Sequence, residues 1–209
     1  ANRVARWNGT SWSAMGAGMN GSVLTLAVHG THLFAGGEFT EADGLPAGSL
    51  ARWTGAGWIS LGPAVTGTDW PGPFVNYLAS YGQDLVVGGS FSRVGELSAD
   101  NIVRWNGTAF APLGSGVSYG GDVRFGWVWG LLALGNDLYV VGDFNRAGGN
   151  SSYGIARWRD PVAQAIPGEG TDTAVRLGPA TPNPFRASAR LAYDVFSAGA
   201  VKATVVDVQ

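Results

Sequence analysis

Apolar residues recur through the first three quarters of the chain in short runs, each closed by glycine or by a small polar cluster. The runs SVLTLAVH (22–29), HLFAGG (32–37), SLARWT (49–54) and GWISL (57–61) follow one another at short intervals. Runs of that length, rich in β-branched and aromatic residues and separated by turn formers, predict strands, and four in succession predict a four-stranded antiparallel sheet. In SLARWT, alternation puts Ala51 and Trp53 on one face and Leu50 and Arg52 on the other, so both faces carry apolar groups and both need cover.

The pattern repeats. The tripeptides ARW (5–7), ARW (51–53), VRW (103–105) and ARW (156–158) recur, and each of the first three is followed five residues on by an aromatic, Trp12, Trp58 or Phe110. Then come Gly16, Gly62 or Gly114; Val23, Val75 or Val128; Gly30, Gly82 or Gly135; Gly37, Gly89 or Gly142; and Phe39, Phe91 or Phe144. Every step between landmarks is constant except the one from the first glycine to the valine, which spans 7, 13 and 14 residues in turn. Repeats of this period with four strands, covered on both faces, predict blades of a β-propeller. The chain supplies two strands, two complete sets of four and then three, fewer than a closed ring of four to eight blades requires. The expected fold is therefore all-β: a partial β-propeller of about three four-stranded blades over 1–158, an incomplete ring whose end sheets face missing neighbours.

After Trp158 the pattern stops. Residues 159–173, RDPVAQAIPGEGTDT, have linker composition, and 174–209 open a second unit with strands expected in LAYDVF (191–196) and VKATVVDV (201–208). An immunoglobulin-like sandwich needs about seven strands, so this stretch holds only the start of one.

Composition narrows the function. Only 13% of residues are charged, the net charge is −2, and the 13 Lys and Arg are scattered singly, which argues against nucleic acid as a partner. No segment has the long uncharged run of a membrane helix, and no cysteine is available for disulfides, thiolate chemistry or zinc. The first residues, ANRVARWNG, open inside a repeat, so a leader upstream of them is compatible with the pattern.

The aliphatic runs ending AGG, VVGG and YVVG, followed by RWxGxxW, resemble the kelch-type propeller repeat, and more closely the repeats of bacterial secreted surface proteins and of the fungal cortical cell-polarity marker. The PNPF segment (182–185), the strand after it and GAVKATVVDV (199–208) resemble the flagellar-hook-cap-type immunoglobulin-like module that ends many exported bacterial proteins as a type IX secretion sorting domain. These resemblances imply export, display at the cell surface, and a truncated C-terminal module engaging secretion machinery.

The segment of variable length joins the last strand of one sheet to the first strand of the next, on the same face as the Gly-rich loops 40–49, 92–101 and 145–154. Its insertions, PAVTGTDWPGPF (63–74) and SGVSYGGDVRFGW (115–127), are aromatic. Asp69, Trp70, Tyr119, Asp122, Arg124 and Phe125 are the candidate ligand-binding residues, rings offering apolar faces to a sugar or peptide and polar groups fixing orientation. The competing reading has these rings plugging a central channel or covering blade edges, and Phe74 and Trp127, adjoining strand starts, belong to packing.

Asp69 and Asp122 have no spacing that marks a catalytic pair, so a non-catalytic binding protein is expected. The alternative is a secreted hydrolase or lyase whose catalytic groups lie mostly outside these residues. His29 and His32 read as turn and surface residues, and Glu41 and Asp43 as solvated loop acids, so neither metal nor cofactor is expected. Asn8, Asn20, Asn106 and Asn150 each begin N-x-[ST]; the NG pairs at 8–9 and 106–107, like TG at 54–55, sit where two-residue hairpin loops would need positive φ. Arg6, Arg52, Arg104 and Arg157, buried within strands, would need carboxylate partners, for which Glu38 and Asp143 are the candidates. The four repeat tryptophans are scaffold.

Overall fold

The computed structural model describes residues 2–67, 72–120 and 126–159, and the backbone of 176–177 and 193–194. Every regular element among them is a β-strand. The chain divides into two units, Ala1–Ala165 and Ile166–Gln209.

The framework of unit 1 is four sheets in chain order, with three small ribbons of two-residue strands beside them. Sheet I pairs Ala5–Trp7 with Trp12–Ala14; sheet II contains Val23–His29, His32–Gly37, Leu50–Trp53 and Trp58–Ser60. Sheet III contains Phe74–Tyr81, Asp84–Ser90, Ile102–Trp105 and Phe110–Pro112, and sheet IV contains Trp127–Leu134, Asp137–Asp143 and Ile155–Arg159. All neighbours are antiparallel and follow one another in chain order; short turns join the first strand to the second and the third to the fourth, and a longer segment joins the second to the third. The first two strands of sheets II, III and IV are joined by two-residue loops opened by Gly30, Gly82 and Gly135, whose φ values of 57°, 57° and 54° suit a turn that continues the strand twist.

The NG and TG turns differ from the two-residue loops expected of them. Trp7 is opposite Trp12 and Trp105 opposite Phe110, so four residues make each loop. Asn8 Oδ1 accepts hydrogen bonds from the N–H groups of Thr10 (2.9 Å) and Ser11 (2.8 Å), and Asn106 Oδ1 does the same for Thr108 (3.0 Å) and Ala109 (2.9 Å). The side chain substitutes for backbone partners, which lets the wider loop close.

Three apolar clusters lie between successive sheets. One unites Phe34 and Leu50 of sheet II with Val75, Leu78, Leu85 and Trp105 of sheet III; a second unites Tyr81, Val86 and Ile102 of sheet III with Val128, Leu131 and Leu138 of sheet IV. The third joins Val4, Met15 and Met19 to Ala35, Ala51 and Trp58 of sheet II. Leu50 and Ala51, neighbours in one strand, thus serve opposite faces. Side-chain bonds tie the same sheets: His29 Nδ1 lies 2.8 Å from Ser80 Oγ, Asn76 Nδ2 donates to Val128 O at 3.2 Å, and Tyr81 Oη donates to Asn136 O at 2.7 Å.

Close approach is set at one repeat position. A Cβ on Gly36 would meet the Val75 side chain, and one on Gly88 would lie 2.6 Å from Val128 Cγ1, so glycine is what lets the next sheet's first strand settle. The equivalent residue of sheet IV is Val141, 41% exposed. At the other end Leu26 is 52% exposed, although its counterparts Leu78 and Leu131 are 5% and 7%. The outer faces of the series are bare among the described residues.

The tryptophans pack toward the preceding sheet. Trp53 lies against the Val4, Met15 and Met19 cluster, Trp105 against Phe34 and Trp158 against the sheet III–IV cluster; Trp7, with no described sheet before it, is 49% exposed. The repeat arginines are not buried: Arg6 and Arg157 are exposed, Arg52 and Arg104 half-buried. Nor are Glu38 and Asp143 their partners. Arg104 pairs with Asp84 at 3.4 Å, and Arg157 with Asp137 at 3.9 Å, carboxylates at the turn end of the neighbouring strand. Asp137 also holds Arg159 through bonds of 2.7 and 2.9 Å. Sheet II has His32 at that position.

In unit 2, Arg176–Leu177 pairs antiparallel with Tyr193–Asp194. The remainder of 159–173 and of the expected strands 191–196 and 201–208 lies outside the described residues, except that Arg159 ends the last strand of sheet IV.

Candidate functional site

Residues 40–49, 92–101 and 145–154 fold into ribbons rather than open loops. Ala42 is opposite Leu45, Val94 opposite Leu97 and Ala147 opposite Asn150. Asp43–Gly44 and Gly148–Gly149 occupy positive φ at both central positions, the demand of a tight two-residue hairpin. Each ribbon receives the connection arriving from the preceding sheet. Met19 bridges to Ala42, Val65–Thr66 pairs with Arg93–Val94, and Val117–Ser118 pairs with Arg146–Ala147.

A polar side chain then fastens each connection at the same place. Asn20 Oδ1 accepts the N–H groups of Thr40 (3.0 Å) and Glu41 (2.9 Å), Ser92 Oγ donates to Gly67 O at 2.6 Å, and Asn145 Oδ1 accepts the N–H of Gly120 at 2.6 Å. Asn20 is therefore bound into the fold through the very amide that would define a glycosylation sequon.

Immediately past these fastenings come the residues singled out by sequence. Asp69, Trp70, Asp122, Arg124 and Phe125 lie outside the described residues. Tyr119 is half-buried between Ser118, paired with Arg146, and the fastened Gly120. The third connection closes on itself: a Cβ on Gly126 would lie 3.0 Å from Ser118 Cα and 3.2 Å from Asn101 Nδ2. Asn101, only 6% exposed and at φ 65°, locks that base by donating to Val117 O (2.9 Å) and accepting from the N–H of Phe91 (3.1 Å). Beside it, partial burial raises the Asp100 carboxyl above its usual range.

On return, Phe74 and Trp127 meet edge to face at 6.2 Å, a packing contact at the entry to adjacent first strands. Two residues on, each first strand carries a bulge, at Leu24, Asn76 and Trp129. A bulge leaves one residue out of the ladder and re-aims its side chain: Trp129 is 55% exposed, and its counterpart Asn76 donates to Val128 O.

Sequence reasoning missed Asn145, Arg146, Trp129 and Tyr153. Arg146 lies over Gly120, and Tyr153 is 83% exposed on the same ribbon. Of the acids taken for solvated, Glu41 is exposed, but Asp43 is not free: its carboxylate accepts the N–H of Gly18 (2.9 Å) and of Trp58 (2.6 Å). His29 and His32 pack at 6.3 and 6.5 Å from the Phe34 ring.

At the third connection the described residues thus offer the half-buried Tyr119 ring, the Arg146 guanidinium over Gly120 and the Asn145 amide bound to fixed backbone. Rings, guanidinium and amide groups are the chemistry of stacking and hydrogen bonding. Among the described residues no cluster of three His, Asp or Glu is placed to hold a metal, and no helix is long and apolar enough to cross a membrane. Comparison with protein-family models, with curated proteins and with solved structures finds no match to the chain.

Proposed function

We propose that the chain is part of a non-catalytic, exported β-propeller of the kelch-like surface type, which binds carbohydrate or protein through the connections between blades. Sheets I to IV are then consecutive blades of an incomplete ring, and residues 174–209 open an immunoglobulin-like module that serves secretion sorting. Support for the blade reading comes from the run of two, four, four and three sequential strands with apolar clusters on both faces of sheets II and III.

The observation that carries the binding reading is the fastening of the third connection. Asn145 holds Gly120, and Gly126 returns against Ser118, so the framework is closed below the inserted residues. Insertions placed beyond such a closure alter a surface without repacking a core. Tyr119 next to Gly120 and Arg146 over it supply a ring and a charge at that closure.

The test is a glycan array and a displayed-peptide array probed with the full chain and with Trp70→Ala, Tyr119→Ala and Asp122→Ala. One ligand class should bind saturably, and these substitutions should weaken it about tenfold or more while thermal unfolding is unchanged. Turnover of a bound polysaccharide or peptide that Asp69→Asn or Asp122→Asn abolishes would overturn the reading.

A further inference from the structure

Three sheets set a rule that the fourth leaves unfilled. The repeat tryptophan of each third strand is paired in register with an aromatic on a fourth strand: Trp7 with Trp12, Trp53 with Trp58, Trp105 with Phe110. Those fourth strands read WSAMG (12–16), WISLG (58–62) and FAPLG (110–114), an aromatic, any residue, a small residue or proline, an aliphatic and glycine. Among the described residues no strand pairs with the outer edge of Ile155–Arg159 in sheet IV. Five residues after Trp158, where the pattern demands an aromatic, the sequence has Ala163.

The socket for that aromatic is nevertheless built. In sheet II the Trp58 ring is 1% exposed, clustered with Met15, Met19, Ala35, Ala42, Ala47 and Ala51, and its Nε1 donates to Met15 O at 3.1 Å. The residues at those six repeat positions around sheet IV are Leu113, Val117, Val140, Ala147, Ser152 and Ala156. All six line one cavity of about 380 Å³, together with Trp158. The fourth strand of sheet II also rests on its ribbon at Leu45–Pro46, and that of sheet III on Leu97–Ser98; the matching ribbon strand of sheet IV, Asn150–Ser151, lines the same cavity.

We propose that this cavity and the edge of Ile155–Arg159 form a docking site for an extended peptide strand of the aromatic–x–small–aliphatic–glycine type. The strand adds antiparallel to the edge, and its ring enters the cavity opposite Trp158. Main-chain hydrogen bonds supply affinity and the socket supplies selectivity, the general logic of strand addition. The occupant follows from the two sockets of this kind that the chain fills with its own WISL and FAPL segments, around Trp58 and Phe110; WSAM has the same pattern, and its Trp12 is 69% exposed. The site does not depend on the reading of the variable connections.

The experiment is calorimetric titration of the full chain with a synthetic peptide of residues 8–16, NGTSWSAMG. Binding should have one-to-one stoichiometry, weaken about tenfold or more in the Trp12→Ala peptide, and vanish when alternate peptide nitrogens are methylated. Ala147→Phe in the protein, which fills the socket, should weaken binding comparably while its thermal unfolding stays cooperative. Equal binding of the parent and Trp12→Ala peptides, or none to the folded chain, overturns the proposal. So does a dimer in sedimentation that Trp12→Ala in the chain dissociates, because the groove then belongs to a second copy.

Discussion

Trp105 of sheet III stands edge-on to Phe34 of sheet II, ring centroids 5.5 Å apart at 63°, so the repeat tryptophan of one sheet is read by the second strand of the sheet before it. Both rings are nearly shut off from solvent, at 8% and 1% exposure. Aromatic pairs of this geometry contribute about 0.5–1.5 kcal/mol beyond the area they bury. A double-mutant cycle with Phe34→Leu and Trp105→Leu, read by urea unfolding, should return a coupling in that range. Strict additivity would mean that the rings share a cluster without interacting.

Size matters more at Gly88 than at its counterpart Val141. Gly88→Val forces a branched side chain into Val128 and Leu131 and should cost about 1–3 kcal/mol or more, the usual toll of overpacking. Val141→Ala, on the bare side of sheet IV, should stay within about 0.5 kcal/mol of the parent. Chemical denaturation of the two variants side by side gives the comparison.

Asp43 joins the first connection to sheet II by accepting two backbone N–H groups, Gly18 and Trp58. Asp43→Asn keeps the shape but turns an amide NH₂ toward one of those donors. Leaving a partly buried donor unmet costs about 1–3 kcal/mol, and hydrogen exchange of the Trp58 amide should accelerate well beyond that of Gly88.

Acid should loosen sheet IV through Asp137. Its hydrogen bond to Arg159, aided by the charges of Arg159 and Arg157, holds the carboxyl below the ordinary value of 3.8. A carboxylate with a depressed native pKa stabilises the fold above its unfolded value, and that contribution is lost as pH falls through the native one. The melting temperature of the parent should therefore drop more steeply below pH 3.8 than that of Asp137→Asn. Asp100 acts in the opposite sense: burial raises its pKa, so stability declines as pH rises from 3.8 through the raised value.

The strands of the framework were legible because each carries enough alternating apolar residues to declare its period, and the turns at Gly30, Gly82 and Gly135 fall where glycine said they would. The ribbons were not, although Asp43–Gly44 is a strong hairpin signal, because two residues per strand are too few to show a period. The partners of Arg104 and Arg157 were misassigned for a related reason. A long guanidinium reaches diagonally to the acid two positions along the neighbouring strand, and only the register reveals which acid that is. Asn145 and Ser92 were unreadable as fastenings, since each grips a carbonyl or amide about 25 residues upstream, across a sheet boundary no local pattern marks.

Val141 gives the series a direction. Sheets II and III receive their successors on a glycine and so accept a valine from the incoming strand; sheet IV offers the valine itself. Any body that covers that face must bring the small residue, so donor and recipient of space exchange roles at this one interface. An incoming first strand that carries valine there, as those of sheets III and IV do, would meet Val141 instead of a glycine, so this face of sheet IV discriminates by steric polarity before any charge or hydrogen bond is consulted.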